Sequence, residues 1–444
     1  MKPQILISAA TAGSGKTLLA MGLLRALKKR GMKVQPYKCG PDFIDPQLLS
    51  VAADCDSVNL DAWMSSHTHV QYLYNKYGER ADVCITEGTG GLFDGYRRMQ
   101  GSTAEMAGLL NLPVLLIVNA RVSGYSVAPL IYGFKHFYAG VRIAGVIFNQ
   151  VSSSAHYANL REACSDAGVD CLGFLPAQEE YKLPSKHSAL SVAGKRSLDE
   201  MAEAVSCRLE KTVDIDRLLN RCNRSFPCQY SLPYSSDVEP ESFLLPKRKI
   251  RIAVARDPAF CFIYRENIDR LSRIGNITYF SPLHGYELPE AELVYLPGGY
   301  PELFARQLHR RYKMMESLRE YVEKGGKVWA ECGGMVFLGR TVRSRENGTA
   351  YSMSNILPID FRMSAANRPA SGYRKACFRE QDWKGYEYRY TAIVQDDTPE
   401  DLRRARITNL KGTDALLPVY RYKNVIGSYV HWYWGDKNIL QWWG

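Results

Sequence analysis

The stretch Lys327-Val328-Trp329-Ala330-Glu331-Cys332-Gly333-Gly334-Met335-Val336-Phe337-Leu338 sets one cysteine directly before two glycines. A short apolar run enters it and an apolar run with helical potential leaves it. Strand, tight turn and helix push a nucleophile out at the top of a parallel sheet. The glycines suit such a turn, which is strained and leaves no room for a Cβ beside the thiol. A buried structural cysteine before a Gly-Gly helix start would use the same residue types, so other stretches must decide. In Leu293-Val294-Tyr295-Leu296-Pro297-Gly298-Gly299-Tyr300-Pro301-Glu302 a strand runs into a glycine turn. The backbone N–H groups of Gly298 and Gly299 are thereby candidates for stabilising an oxyanion. Near the end, Val425-Ile426-Gly427-Ser428-Tyr429-Val430-His431-Trp432-Tyr433-Trp434 reads as a strand offering a single histidine. A lone histidine is more often structural, but a thiol, an oxyanion hole and a base together make covalent acyl chemistry. Cys332 and His431 are the expected catalytic pair.

A second chemistry lies at the other end of the chain. The buried strand Gln4-Ile5-Leu6-Ile7-Ser8-Ala9-Ala10 meets Thr11-Ala12-Gly13-Ser14-Gly15-Lys16-Thr17, and leucines then recur at helical spacing. This is a phosphate-binding loop in its strand–loop–helix context, with Ala10 replacing the first glycine of the usual pattern. N–H groups around Gly13 and Gly15 cradle phosphates, Lys16 reaches the outer ones, and Thr17 can hold Mg²⁺. ATP is the expected nucleotide. Carboxylates recur at the ends of the next strands: Asp42 and Asp45 after Lys33–Cys39, Glu87 closing Asp82–Gly88, and Asp94 on the loop beyond. Loops at strand C-termini bind ligands in open α/β sheets, and Mg²⁺ takes oxygen ligands. Any one of these carboxylates serves equally well as a turn cap. Their recurrence points to a metal role for the group, with Thr17, Asp45, Glu87 and Asp94 the expected set. Two more buried strands end in Asn119, expected as a cap, and Asn149, able to bond a base or phosphate.

These residues need two scaffolds. At 444 residues the chain exceeds one ordinary core. Alternating strands and helices predict a parallel doubly wound domain over 1–205. A looser Pro- and Ser-rich stretch from 206 to 247, with a helix expected over Leu198–Asn220, reads as linker and cover. A second α/β domain follows over 248–444. Hydrophobic content of 46% and charged content of 23% are those of a globular protein. No apolar run is long enough to span a bilayer, and Met1-Lys2-Pro3 enters a strand directly, so neither membrane nor signal peptide is expected. Eleven cysteines form no framework and no C-x-x-C pair, which favours reduced thiols in the cytoplasm. The net charge of +11 calls for an anionic partner. Lys247-Arg248-Lys249 and Arg403-Arg404-Ala405-Arg406 are short, separated patches without a nucleic-acid-binding fold. A polyanionic small substrate plus ATP accounts for the charge equally well.

Taken together, the motifs resemble a known family. Pro297–Glu302, Ala330–Gly334 and Ser428–His431 are similar to the class I glutamine amidotransferase domain of the cobyric-acid-type branch. The first half resembles the dethiobiotin-synthetase-like ATP domain, and Lys38–Pro46 with Glu87–Gly95 resemble signatures of the cobyrinate a,c-diamide synthases. The resemblance implies ATP-dependent amidation of the a and c carboxylates of cobyrinic or hydrogenobyrinic acid, with glutamine as donor and Mg²⁺ assisting. It implies an acyl phosphate, ammonia delivered along a protected path, and Asn149 at the adenine. Expected partners are the corrin-type polycarboxylate, glutamine and ATP, without nucleic acid or membrane; a homodimer is compatible with it. Two departures stand out. Tyr433 replaces a glutamate that many class I amidotransferases place two residues after the histidine. Lys384-Gly385-Tyr386-Glu387-Tyr388-Arg389-Tyr390 stands where the family usually shows Gly-His-Glu-Phe-His-Tyr, so both histidines are missing. The same diamidation on nickel-sirohydrochlorin is one alternative. A partition-type P-loop ATPase with a degenerate second domain is another.

Overall fold

The computed structural model describes residues 1–178, 181, 192–229, 248–345, 348–364, 368–435 and 437–443, without the side chains of 192–195 and 404. The chain forms two compact units, Met1–Tyr234 and Ser235–Gly444.

In the first unit, strands alternate with helices: β1 (Lys2–Ala9), α1 (Lys16–Lys29), β2 (Val34–Cys39), α2 (Asp45–Ala53), β3 (Val58–Leu60), α3 (His67–Gly78), β4 (Val83–Glu87), α4 (Thr103–Leu109) and β5 (Val114–Asn119). Then come α5 (Val127–His136), β6 (Ile143–Val151), α6 (Ser154–Asp166), β7 (Cys171–Pro176), α7 (Val192–Thr212), α8 (Ile215–Arg221) and β8 (Asn223–Arg224). The sheet order is β3-β2-β4-β1-β5-β6-β7, parallel throughout, with β8 antiparallel on β1. Strands such as β2 and β4 are buried along their whole length, as parallel strands covered on both faces are. Because all are parallel, the loops after β1, β2, β4 and β6 open at one edge of the sheet.

The expected linker is corrected over its described part. Residues 206–229 belong to the first unit; 230–247, with Lys247, lie outside the described residues. Gly22 explains the close docking of α7 on α1: a Cβ there would stand 2.5 Å from Val205 Cγ1 and 2.7 Å from Leu209 Cδ1. The helix expected over Leu198–Asn220 is two helices. Between them Val213 bridges to Gly173, the Asp214 N–H donates to the Leu172 carbonyl at 2.8 Å, and the Asp214 carboxylate caps α8 at the Arg217 N–H. Pairing with β7 thus outweighs continued helix.

The second unit contains β9 (Ile250–Ala255), α9 (Arg265–Ile274), β10 (Gly275–Phe280), β11 (Leu293–Leu296), α10 (Ala305–His309), α11 (Tyr312–Glu323), β12 (Lys327–Glu331) and α12 (Gly333–Leu338). A small sheet follows with order β14-β13-β15-β18, from β13 (Thr341–Arg343), β14 (Ala350–Ser352), β15 (Ile359–Met363) and β18 (Thr391–Asp396). The remaining strands are β16 (Ala370–Phe378), β17 (Gln381–Arg389), β19 (Arg403–Asn409), β20 (Asp414–Tyr422), β21 (Val425–Ser428) and β22 (Val430–Tyr433). They extend the parallel core β10-β9-β11-β12-β21 through β20-β19-β16-β17-β22 into one ten-stranded sheet. The strand expected over Val425–Trp434 breaks at Tyr429, because β21 pairs with β12 and β20 whereas β22 pairs with β17. The Ser428 hydroxyl holds the break, accepting from the Val430 N–H and, at 2.8 Å, from Trp432 Nε1. All eleven cysteines are unpaired. No described helix is long and apolar enough to cross a membrane.

Candidate active sites

In the first unit, β1 hands the chain to a loop in which Gly13 (φ 75°) and Gly15 (φ 96°) are left-handed. A Cβ on Gly15 would stand 2.1 Å from Asn149 Nδ2, so glycine is required there by position as well as by dihedral. Asn149, buried on β6, donates to the Ser14 carbonyl at 2.9 Å, and Ser14 Oγ donates to the Thr11 carbonyl at 2.9 Å. The Asn149 amide therefore braces the phosphate loop. Lys16 folds over the loop onto the Gly90 carbonyl; burial lowers its pKa, against the pull of Glu87.

Opposite the loop, the register of β2 and β4 sets Lys38 beside Glu87. Lys38, fully buried, reaches Asp45 Oδ2 at 2.8 Å, Glu87 Oε1 at 3.0 Å and the Gly88 carbonyl at 3.1 Å. Burial alone would lower its pKa, but the carboxylates of Glu87, Asp45 and Asp42 outweigh it and hold the ammonium charged. Burial pushes the Glu87 carboxyl up to about 7, with Lys38 opposing. Thr17 Oγ1 donates to Glu87 Oε1 at 2.6 Å, while Glu87 Oε2 has no hydrogen-bond partner among the described residues. Asp42 caps the turn before α2, accepting from the Ile44 and Asp45 N–H groups at 2.7 and 2.8 Å. Asp94 accepts from the Gly91 N–H at 2.9 Å on its own loop. Thr17, Asp45 and Glu87 thus gather around Lys38, while Asp94 acts on Lys16 from its own loop. Among the described residues no three His, Cys, Asp or Glu side chains converge into a metal cage. Asn119 caps its own turn at the Arg121 N–H.

In the second unit, Cys332 sits at φ 44° and ψ −103°, on the elbow between β12 and α12. Such a backbone costs about 1–3 kcal/mol for a non-glycine residue and persists only where its surroundings over-determine it. They do: the Cys332 N–H donates to the Ser428 carbonyl at 2.7 Å. A Cβ on Gly333 would stand 2.7 Å from Pro301 Cδ and 3.0 Å from the Gly299 nitrogen, and one on Gly334 2.0 Å from the Leu296 carbonyl oxygen. A Cβ on Gly298 would stand 1.9 Å from His431 Cε1. The Gly298-Gly299 turn therefore lies between the cysteine elbow and the histidine ring, and the three separated stretches meet.

Both reactive groups are buried. Burial lowers the His431 pKa to about 3, opposed by the Tyr388 main chain. Burial pushes the Cys332 thiol well up; Glu302 and Glu387 add to this, whereas Arg389 and the Gly333 N–H oppose it. The thiol donates to the Tyr388 carbonyl at 3.4 Å. The resting pair is a neutral thiol and a neutral imidazole, both beside the main chain of Tyr388. That carbonyl belongs to β17, whose register sets Tyr386 opposite His431. A Cβ on Gly385 would stand 2.2 Å from the His431 carbonyl oxygen. The stretch lacking both histidines of the family pattern thus borders the catalytic pair itself.

Several contributors escaped the motif reading. Glu331, directly before the nucleophile, is buried and accepts from Trp329 Nε1 at 2.8 Å, Tyr295 Oη at 2.9 Å and the Trp432 N–H at 3.3 Å. It ties the cysteine strand to the residue after His431. Asn267 holds the same strand from α9, donating to the Trp432 carbonyl at 2.8 Å and accepting from the Trp434 N–H at 3.0 Å. Lys38 and Glu331 share one signal, a charged residue inside an otherwise buried strand. Of the basic patches, Arg248, Arg403 and Arg406 pair with Glu292, Asp396 and Asp414, and the Arg404 side chain lies outside the described residues.

Comparison with known proteins matches residues 5–190 to the CobQ/CobB/MinD/ParA nucleotide binding domain and residues 251–439 to the CobB/CobQ-like glutamine amidotransferase domain. The chain is 34% identical to the cobyrinate a,c-diamide synthase of Dehalococcoides mccartyi, over 99% of this chain and 96% of that one. It is 37% identical to the hydrogenobyrinate a,c-diamide synthase of Brucella anthropi, over 96% and 97%. It is 32% identical to the cobyrinate a,c-diamide synthase of Saccharolobus solfataricus, over 98% and 99%.

Proposed function

Because the chain belongs to the cobyrinate a,c-diamide synthase family, we propose that it amidates the a and c carboxylates of cobyrinic or hydrogenobyrinic acid in cobalamin biosynthesis, using ATP and glutamine. It is a glutamine-hydrolysing carbon–nitrogen ligase. The observation that carries this reading is one chain holding both a thiol on a left-handed elbow against His431 and a phosphate loop facing a buried Lys38–Glu87 pair.

A carboxylate resists ammonia because its leaving group is poor. In the first unit the macrocycle carboxylate attacks the γ-phosphorus of ATP, ADP leaves, and an acyl phosphate results. Lys16 and the loop N–H groups hold the transferring charge. The orphaned Glu87 Oε2 and the Thr17 hydroxyl fit a hard divalent cation. With Asp45, which Lys38 holds beside Glu87, and Asp94, which acts on Lys16 from its own loop, they would hold Mg²⁺, which when bound would supply positive charge to the phosphates. Lys38 keeps Glu87 and Asp45 oriented. In the second unit Cys332 attacks the glutamine amide carbon while His431, neutral because it is buried, takes the thiol proton and passes it to the departing nitrogen. Gly298 and Gly299 offer N–H groups to the developing oxyanion. Water then releases glutamate from the thioester. The ammonia displaces phosphate from the acyl phosphate in the first unit, and it must stay out of bulk water, where it would be protonated. Eleven unpaired cysteines suit the reducing cytoplasm.

The test is mass spectrometry of cobyrinic acid, hydrogenobyrinic acid and nickel-sirohydrochlorin after incubation with the protein, ATP, Mg²⁺ and glutamine. Two amidations of a corrin-type acid support the reading, and amidation of nickel-sirohydrochlorin alone moves it to that macrocycle. No amidation, no glutaminase and a steep salt dependence of DNA binding would replace it with the partition-type ATPase.

A further inference from the structure

We propose that Arg389 anchors the α-carboxylate of glutamine beside Cys332. This rests on the glutaminase reading of the second unit. Glu387 and Arg389 are two residues apart on β17 and so share one face of it. The Glu387 carboxylate, with 2% of its side chain exposed, takes Arg374 through Nε at 2.8 Å and Nη2 at 2.5 Å, and Arg389 through Nε at 2.6 Å. Both arginine side chains are themselves mostly buried, at 16% and 17% exposure. Two guanidiniums share one carboxylate, and among the described residues neither has a second carboxylate at ion-pair distance. A charge withdrawn from water is costly unless an anion partners it.

The position of that charge says which anion. The Arg389 guanidinium lies 4.2 Å from the Tyr429 ring centroid. Tyr429 follows Ser428, whose carbonyl accepts the Cys332 N–H, and precedes the strand of His431. Tyr388, the neighbour of Arg389, accepts the Cys332 thiol. Of the guanidinium's edges, Nε serves Glu387 and Nη1 serves the Thr391 carbonyl; Nη2 makes no hydrogen bond or ion pair among the described residues. An arginine with two edges fixed and one open is preorganised to take a carboxylate. Glutamine brings one, at the end opposite the amide that Cys332 attacks.

Glutaminase kinetics on L-glutamine and on its α-amide, which keeps the reacting end and lacks the α-carboxylate, test the assignment. The wild-type protein should favour glutamine over the α-amide. Arg389→Lys keeps a cation for Glu387 and the fold but loses the open edge, and Arg389→Ala removes both. In each, KM for glutamine should rise by about tenfold or more, a loss of the size expected for a charge-assisted contact, while the α-amide is used as before. Thermal melting of the full chain checks folding. An unchanged KM in folded Arg389→Lys overturns the anchor. So does an equal fall of kcat on both substrates with slower alkylation of Cys332, which would assign Arg389 to the thiolate instead. If the wild-type protein hydrolyses no glutamine, the glutaminase reading falls and the anchor with it, a result distinct from either.

Discussion

The two units solve the problem of a buried polar site in opposite ways. Around the phosphate loop, Lys38 faces Glu87 and Asp45, so charge compensates charge. Around Cys332, the thiol and imidazole are neutral, and the buried carboxyl of Glu331 is met by neutral donors, those of Trp329, Tyr295 and Trp432 among them. The pKa directions reflect this. Glu87, with a cation at 3.0 Å, is raised to about 7; Glu331, with none, is raised to about 8. A site that handles a polyanion needs fixed charge ready before its substrates arrive. A site that splits a neutral amide needs geometry first, and charge only as the reaction develops. Close to Cys332 the Arg374–Glu387–Arg389 cluster sets two guanidiniums on one carboxylate, and its excess charge marks where an anion is expected.

The contrast breaks if the two sites cannot be silenced separately. Cys332→Ala should lower glutamine-dependent amidation by at least about 10³-fold, since covalent catalysis loses its nucleophile. Activity with high ammonia should persist; loss of both would sink the division of labour. Lys16→Ala should lower amidation from either nitrogen source by roughly 10²–10³-fold through lost electrostatic stabilisation. Glutamine hydrolysis measured without ATP should survive it, and its disappearance would mean that the sites are coupled.

Gly298→Ala comes next in size. Its Cβ would stand 1.9 Å from His431 Cε1, so the ring must move. Misplacement by about 1 Å costs roughly 10²-fold in rate, and glutaminase assays should show this in kcat more than in KM. Retained kcat would separate His431 from the chemistry.

How much of this is legible in the sequence depends on how local each feature is. The phosphate loop and its carboxylates occupy single strand ends, and contiguous segments carry them, so the motifs alone bring out Lys16, Thr17, Asp45 and Glu87 together. The cysteine elbow and the glycine turn are legible for the same reason. Asn149 is set at the adenine by resemblance, and its bracing of the Ser14 carbonyl is a contact between residues 135 apart in sequence that no motif shows. The 206–229 segment reads as linker because prolines and serines crowd the residues after Arg224, which hides the end of α7, packed on α1, and α8, packed on the sheet. The Tyr388 carbonyl has no sequence signature at all, since every residue owns one. Its place beside Cys332 depends on the register of β17 against β22, which local pattern does not specify.

The smallest expected effect tests the contrast between Glu87 and Glu331 most directly. An acid raised from its ordinary 4.5 to about 8 by burial binds its proton more tightly in the folded chain than in the unfolded one. Its contribution to stability is therefore fully present below about pH 4.5 and is lost as pH rises through about 8. Glu302, raised to about 7 by burial, acts in the same sense, so wild-type melting alone does not isolate Glu331. Glu331→Gln does: it keeps an oxygen for Trp329 and the Trp432 N–H, and cannot ionise. Melting of the full chain between pH 5 and pH 8 should fall less steeply in Glu331→Gln than in wild type, by a few °C over the interval. An identical slope in the two proteins would mean that the neutral donors hold Glu331 ionised throughout. The second site would then tolerate a buried charge without a cation, and the distinction between the two units would reduce to the thiol and the imidazole.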